Sequence, residues 1–227
     1  MSNRPNSNTG TVLNDSSDAK ALPNAETISA AGELEIYDSG GEKVQFKSLF
    51  SDQEVQTVIV VFIRHFFCGA CHAYVESLAS TSQASLDASN TRIVIIGCGA
   101  YEGIVPYRER TLSQSPIASL ISIYADPDRK LFHALGMTYL NIDRPPADQP
   151  TPAYLGGMSI IRRSLASIYR AITNPSMIGW QGNIFQNGGE FVFGPGMNCR
   201  FASRMRNPED HVPVEELMKA AGVGQGE

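Results

Sequence analysis

Apolar residues run without a break from Val58 to Ile63, and again from Ile93 to Ile96. Both runs are short and rich in β-branched side chains, so Thr57–Ile63 and Arg92–Gly97 each read as a strand buried on both faces. Between them the period changes. Cys71, Tyr74, Val75, Leu78 and Ser82 fall on one helical face, which predicts a helix from Cys71 to about Leu86. Two buried strands joined through a helix make a right-handed βαβ unit with parallel pairing.

The same reading extends to both sides. Glu33–Tyr37 and Val44–Phe46 flank the turn cluster Asp38-Ser39-Gly40-Gly41 and predict a hairpin. Lys47–Glu54 is a short helical or turn segment. A helix is expected over Gly103–Leu112 and a short strand over Ser122–Ala125. Asp126-Pro127-Asp128 predicts an N-cap with proline at the first helical position, for a helix to about Leu135 that Gly136 stops. The Pro-rich stretch Met137–Gln149 is a loop. Ala153–Ala171 carries Met158, Ile161, Leu165, Ile168 and Tyr169, with Ile172 just beyond it, at helical spacing, and its arginines Arg162, Arg163 and Arg170 read as a solvated face. Asn174–Gly188 is irregular. Gly189–Phe193 and Cys199–Arg204 form a last hairpin, and Val214–Ala221 a last helix. The order ββ-(βα)-(βα)-(βα)-α-ββ-α describes an α/β domain with a central mixed β-sheet flanked by helices. Residues 1–29 are polar and read as a flexible arm, 30–222 as the domain with a helical insertion at about 138–188, and 223–227 as a tail.

Composition narrows the function classes. Of the 227 residues 42% are hydrophobic and 18% charged, which suits a globular core, and the net charge of −5 gives no footprint for nucleic acid. No apolar run is long enough to span a membrane. Residues 1–29 lack a secretory or mitochondrial pattern, so a cytoplasmic location is expected. There, four cysteines favour catalysis or metal binding over a disulfide scaffold.

The chemistry concentrates where the first buried strand ends. Arg64-His65-Phe66-Phe67 leads into Cys68-Gly69-Ala70-Cys71, and the helix follows. Strand, CxxC and helix in that order are the context of a dithiol redox site. Cys68 at the helix start is the candidate nucleophile, because unpaired N–H groups and the positive helix end lower a thiol pKa. Arg64 and His65 would add positive charge, and His65 is also a candidate base. Cys71, one turn on, would resolve a mixed disulfide or sulfenic acid. Cys98, at the carboxyl end of the neighbouring strand, is an alternative resolver or a packed thiol. Cys199 reads as structural, and His211 as a loop residue before the last helix. Phe66, Phe67, Tyr74 and Trp180 line a groove or, as aromatics usually do, pack in the core. Cys68-Gly69-Ala70-Cys71-His72 also fits c-type haem attachment, but without an export signal no haem is expected. The remaining cysteines and histidines are isolated in sequence, so no metal is expected either.

Four segments carry a family resemblance: VVFIRHFFCGACHAYVESLA, IVIIGCG, IYADPDRKLFHALGM, and FQNGGEFVFGPGMNCRFASR with NPEDHVPVEEL. In this order, over Glu33–Ala221, they resemble the peroxiredoxin-like 2 family of alkyl hydroperoxide reductase/thiol-specific antioxidant-related proteins. The resemblance implies a thioredoxin-like fold and a dithiol centre at Cys68 and Cys71. It also implies reduction of a small peroxide, an endoperoxide or a disulfide, with a lipid-like substrate among the options. A thiol reductant of the thioredoxin or glutathione type would regenerate the dithiol, with no cofactor. One departure is visible: where typical peroxiredoxins carry Pro-x-x-x-Thr-x-x-Cys, alignment on Cys68 places Val61 and His65 at the Pro and Thr positions. The alternative is a non-catalytic redox-sensing or binding module that keeps the fold and the dithiol.

Overall fold

The computed structural model describes residues 19–146, 148–156 and 179–224. Their frame is a seven-stranded sheet in the order β2-β1-β5-β4-β3-β6-β7. The strands are β1 (Glu35–Tyr37), β2 (Lys43–Gln45), β3 (Thr57–Ile63), β4 (Thr91–Gly97), β5 (Ile121–Ala125), β6 (Gly189–Gly194) and β7 (Asn198–Arg204). The helices are α1 (Ala25–Gly32), α2 (Gly69–Leu78), α3 (Gln83–Ala88), α4 (Ile104–Leu112), α5 (Lys130–Ala134) and α6 (Val214–Ala221). β3, β4 and β5 run parallel, while β6 and β7 join the far side of β3 antiparallel. This is the mixed sheet expected from the alternation of buried strands and terminal hairpins.

β3 is central, and all seven of its residues are buried. Its period of two divides the core. Ile59, Val61 and Ile63 join Ile93, Ile95 and the inner faces of α2, α4 and α6. Val58, Val60 and Phe62 face the other way, towards Ala31 of α1 and Leu131 and Phe132 of α5. A strand covered on both faces has no polar positions, which is why its sequence reads as continuous apolar residues.

Three differences from the sequence expectation exceed a shift of one or two residues. The helix after the CxxC ends at Leu78 and a separate α3 begins at Gln83. The interruption is serine chemistry: Ser80 Oγ donates to the Ser77 carbonyl at 2.7 Å, and Ser82 Oγ accepts from Ser85 N as a new N-cap. The helix after β5 begins at Lys130, beyond Pro127, because Arg129 takes a left-handed conformation at φ 58°. Asp126 still caps it, and its carboxylate accepts from the N–H groups of Lys130, Leu131 and Phe132. At the N-terminus the arm expected over residues 1–29 is interrupted by α1, whose cap is Asn24 accepting from Thr27 N at 2.8 Å. Arg204 also donates to the carbonyls of Ala19 and Ala21. Most of the helix expected over Ala153–Ala171, with its three arginines, lies outside the described residues; Ala153–Leu155 forms a 3-10 turn.

The glycines of Ile96-Gly97-Cys98-Gly99 have a packing cause. Phe66, fully buried, occupies the space where a Cβ of Gly97, Gly99 or Gly103 would stand. At Gly99 a Cβ would also meet the Trp180 carbonyl at 2.2 Å, a backbone atom that cannot rotate away. Gly99→Ala therefore forces the 180–182 segment off the β4 end. We expect a loss of about 1–3 kcal/mol in a chemical unfolding experiment, as for other overpacked cores; unchanged stability would show that this approach is not close.

Candidate active site

The dithiol sits where β3 hands over to α2. Cys68 is the N-cap of α2, and its sulfur accepts from Cys71 N–H at 3.4 Å. The sulfur thus occupies the place that a Ser or Asp oxygen usually takes at a helix start, where N–H groups lack partners. Arg64 Nη1 approaches the same sulfur at 3.6 Å. Hydrogen bonding with Cys71, then the Arg64 charge, holds the Cys68 thiol well below its ordinary value, against the opposing effect of burial. The partner moves the other way: burial, then its bond to Cys68, pushes Cys71 well above the usual thiol range. The two sulfurs are thus biased in opposite directions, Cys68 towards thiolate and Cys71 towards thiol.

Arg64 is almost fully buried, and its side chain and backbone bond five partners. Besides Cys68, its Nε donates to the Gln186 carbonyl at 3.2 Å and its Nη2 to that of Ile184 at 2.5 Å. Its backbone N–H donates to Cys71 Sγ at 3.4 Å. Its carbonyl accepts from the Cys98 thiol at 2.7 Å. The segment before β6 is thereby fastened across the end of β3, and Phe66 N–H adds a bond to the Gln181 carbonyl.

His65 does not supply charge. Burial, aided by Arg64, lowers it to about 4 even against the pull of the Cys68 thiolate, so the imidazole is neutral at pH 7. Its Nδ1 accepts from Phe67 N–H at 3.3 Å, which occupies that nitrogen as a base. Arg64 is the standing cation beside Cys68. Cys98 packs with the opposite core face, and burial raises its thiol to about 12, so it serves as a neutral donor to the Arg64 and Asn183 carbonyls. Cys199 is half-buried on β7, donates to the Phe201 carbonyl and is likewise raised, to about 11. Phe66, Phe67 and Tyr74 are core residues, and Trp180 is half-buried. His72 faces Glu76 at 3.7 Å and packs edge-on against Tyr107. Among the described residues no group of His, Cys, Asp or Glu forms a metal site.

Two residues at this site belong to no catalytic motif, although both lie in the family segments quoted above. His211 precedes α6, as its sequence position suggests, yet it is buried, with Nε2 at 3.3 Å from Cys71 Sγ. Its Nδ1 lies 2.5 Å from Oε1 of Glu190, a carboxyl on β6 with no exposed surface. Within its segment Glu190 stands out as a lone acid in the apolar run Gly-Glu-Phe-Val-Phe-Gly, on the face it shares with Val192.

With this geometry in hand the comparisons are specific. A family model described as AhpC/TSA antioxidant enzyme matches residues 77–207, which lie downstream of the dithiol. Human peroxiredoxin-like 2C is 33% identical over 194 residues, covering 86% of this chain and 80% of that one. Zebrafish (Danio rerio) prostamide/prostaglandin F synthase is 25% identical over 185 residues, covering 81% of each. Among solved structures, a cysteine-to-serine mutant of peroxiredoxin 6 from Arenicola marina superposes with a TM-score of 0.52 at 11% identity, covering 83% of this chain and 68% of that one. The fold is thioredoxin-like, in the form found in peroxiredoxins. The chain belongs to the AhpC/TSA antioxidant family, on its peroxiredoxin-like 2 branch. No helix among the described residues is long and apolar enough to cross a membrane.

The Arg64–Cys68 contact has a direct readout. Thiolate absorbance followed against pH should show Cys68 titrating well below 9 in the wild type. Arg64→Met should move that midpoint up by about 1–3 pH units, because it removes an adjacent opposite charge. An unmoved midpoint would assign the lowering to the helix start and Cys71 alone.

Proposed function

We propose that the protein is a thiol-dependent oxidoreductase in which Cys68 attacks and Cys71 resolves. The observation that carries the reading is the stabilised Cys68 sulfur, bonded to Cys71 N–H and faced by Arg64. With a peroxide, the Cys68 thiolate takes one oxygen, becomes sulfenic acid, and releases the alcohol after a proton is added. The Cys71 sulfur then displaces water and forms the Cys68–Cys71 disulfide. With a disulfide substrate, Cys68 forms a mixed disulfide and Cys71 expels the second thiol. Two equivalents of an external thiol, of the thioredoxin or glutathione type, return the dithiol.

Two observations widen the substrate beyond hydroperoxides. Val61 and His65 stand where the Pro and Thr of the peroxidatic signature would be. The relative named prostamide/prostaglandin F synthase also keeps a lipid-like endoperoxide among the candidates. The reading places the protein in the cytoplasm, where thiols are kept reduced. A second reading, a redox sensor without turnover, draws on one feature: Cys68 is only 5% exposed.

Turnover decides between them. Wild type and Cys68→Ser are given tert-butyl hydroperoxide or insulin, with dithiothreitol or thioredoxin as the reductant. The oxidoreductase consumes at least one substrate and the variant loses essentially all of that rate; wild-type turnover no higher than the variant's leaves the sensor. Mass spectrometry of the oxidised, non-reduced protein should recover a Cys68–Cys71 peptide, and a Cys68–Cys98 link would reassign the resolver.

A further inference from the structure

Cys71 is the harder half of the dithiol to explain. It is fully buried, and its thiol is held in the protonated form. A thiol is a poor nucleophile until its proton leaves, and no water reaches a sulfur with no exposed surface. The proton acceptor must therefore come from the protein.

His211 is placed for that task. Its Nε2 stands 3.3 Å from Cys71 Sγ, and its Nδ1 meets the Glu190 carboxyl. Its ring lies flat on Tyr74, 4.2 Å between centroids and 5° between planes, which holds the imidazole in one orientation. Tyr154 packs edge-on against the same ring and donates from Oη to the Glu209 carbonyl at 2.8 Å, steadying the 209–211 segment. Glu190 has no packing reason to be charged. It stands on the apolar face of β6, opposite Val61, where burial raises its pKa and the neighbouring His211 opposes that rise. A buried acid kept against that cost, with a histidine between it and a thiol, is the arrangement that fixes a ring tautomer and stabilises an imidazolium.

We propose that His211 is the general base for Cys71 and that Glu190 is its positioning residue. The inference rests on the Cys68–Cys71 exchange proposed above. Once Cys68 is held in a mixed disulfide, the Cys71 thiol passes its proton to His211 Nε2. Glu190, as carboxylate, accepts from Nδ1–H and stabilises the imidazolium. The Cys71 thiolate attacks the Cys68 sulfur, the Cys68–S–S–R bond breaks, and RS⁻ leaves with the electron pair. The charged or titratable groups facing His211 are Cys71 and Tyr74 from α2, Tyr154, Glu190 from β6, its neighbour Asp210, and Glu216 on α6, which acts through Tyr74.

The test separates the two halves of the reaction and needs no natural substrate. Dithiobis(nitrobenzoate) is mixed with the full chain carrying Cys199→Ser, which keeps that half-buried thiol out of the count. The first thionitrobenzoate released reports Cys68 attack; the second reports Cys71 resolution. His211→Asn should leave the first step within about twofold and slow the second by about 100-fold near pH 7, the range typical of a lost general base. The deficit should shrink as pH rises, because brief local openings of the site then let solvent hydroxide take the Cys71 proton in place of His211. Glu190→Gln should slow the second step less and shift its pH midpoint, with melting temperatures recorded to confirm that each variant is folded. Equal second steps in wild type and His211→Asn would overturn the relay. So would a slowing of the same size at every pH, the mark of a displaced Cys71. Failure of the wild type to release a second thionitrobenzoate would instead remove the Cys68–Cys71 exchange itself.

Discussion

A guanidinium cannot be buried without partners, and Arg64 is nearly fully buried at the end of the central strand. Its charge meets the Cys68 sulfur, and its remaining N–H groups need oxygens. The 184–186 segment supplies them from its backbone. Thiolate, strand end and covering segment are thus joined through one side chain. The Cys68 sulfur gives the buried cation a partner, and the cation helps hold the Cys68 thiol below its ordinary value.

Sheet order does the rest. With β4 on one side of β3 and β6 on the other, the end of β3 is approached from both flanks. β4 brings the glycines that receive Phe66, and Cys98, whose thiol bonds the Arg64 carbonyl. β6 brings Glu190, and the chain after β7 brings His211. The two cysteines are therefore in different surroundings although only two residues separate them. Cys68 faces a cation and the start of a helix; Cys71 faces a histidine backed by an acid. Their pKa values move in opposite directions for causes closer at hand: their mutual hydrogen bond lowers Cys68, with Arg64 assisting, and burial, then that bond, raises Cys71.

The elements most legible in the sequence were those whose pattern is enforced by burial on both faces. β3 matches the strand expected from its apolar run residue for residue, and β4 and the final hairpin nearly so. The errors fall where side chains compete with the backbone. Ser80 and Ser82 divide a helix that periodicity alone continues. Arg129 delays a helix that a proline rule begins earlier. Asn24 caps a helix inside a stretch whose composition reads as an arm. Each is a local hydrogen bond or a single dihedral angle, and neither leaves a hydrophobic period.

The sequence by itself determined the central strand, the turn that carries Cys68 and Cys71 at the start of a helix, and the family. These depend on local spacing: strand period, helix start and two cysteines three positions apart. Only the tertiary structure decided which groups the two sulfurs meet. It set His65 aside as a neutral acceptor and turned Cys98 into a donor within the frame. It also brought Glu190 and His211, more than a hundred residues downstream, to the back of Cys71. Contacts between residues so far apart are made by strand order and loop closure, and single residues carried to a site in that way leave no spacing to read.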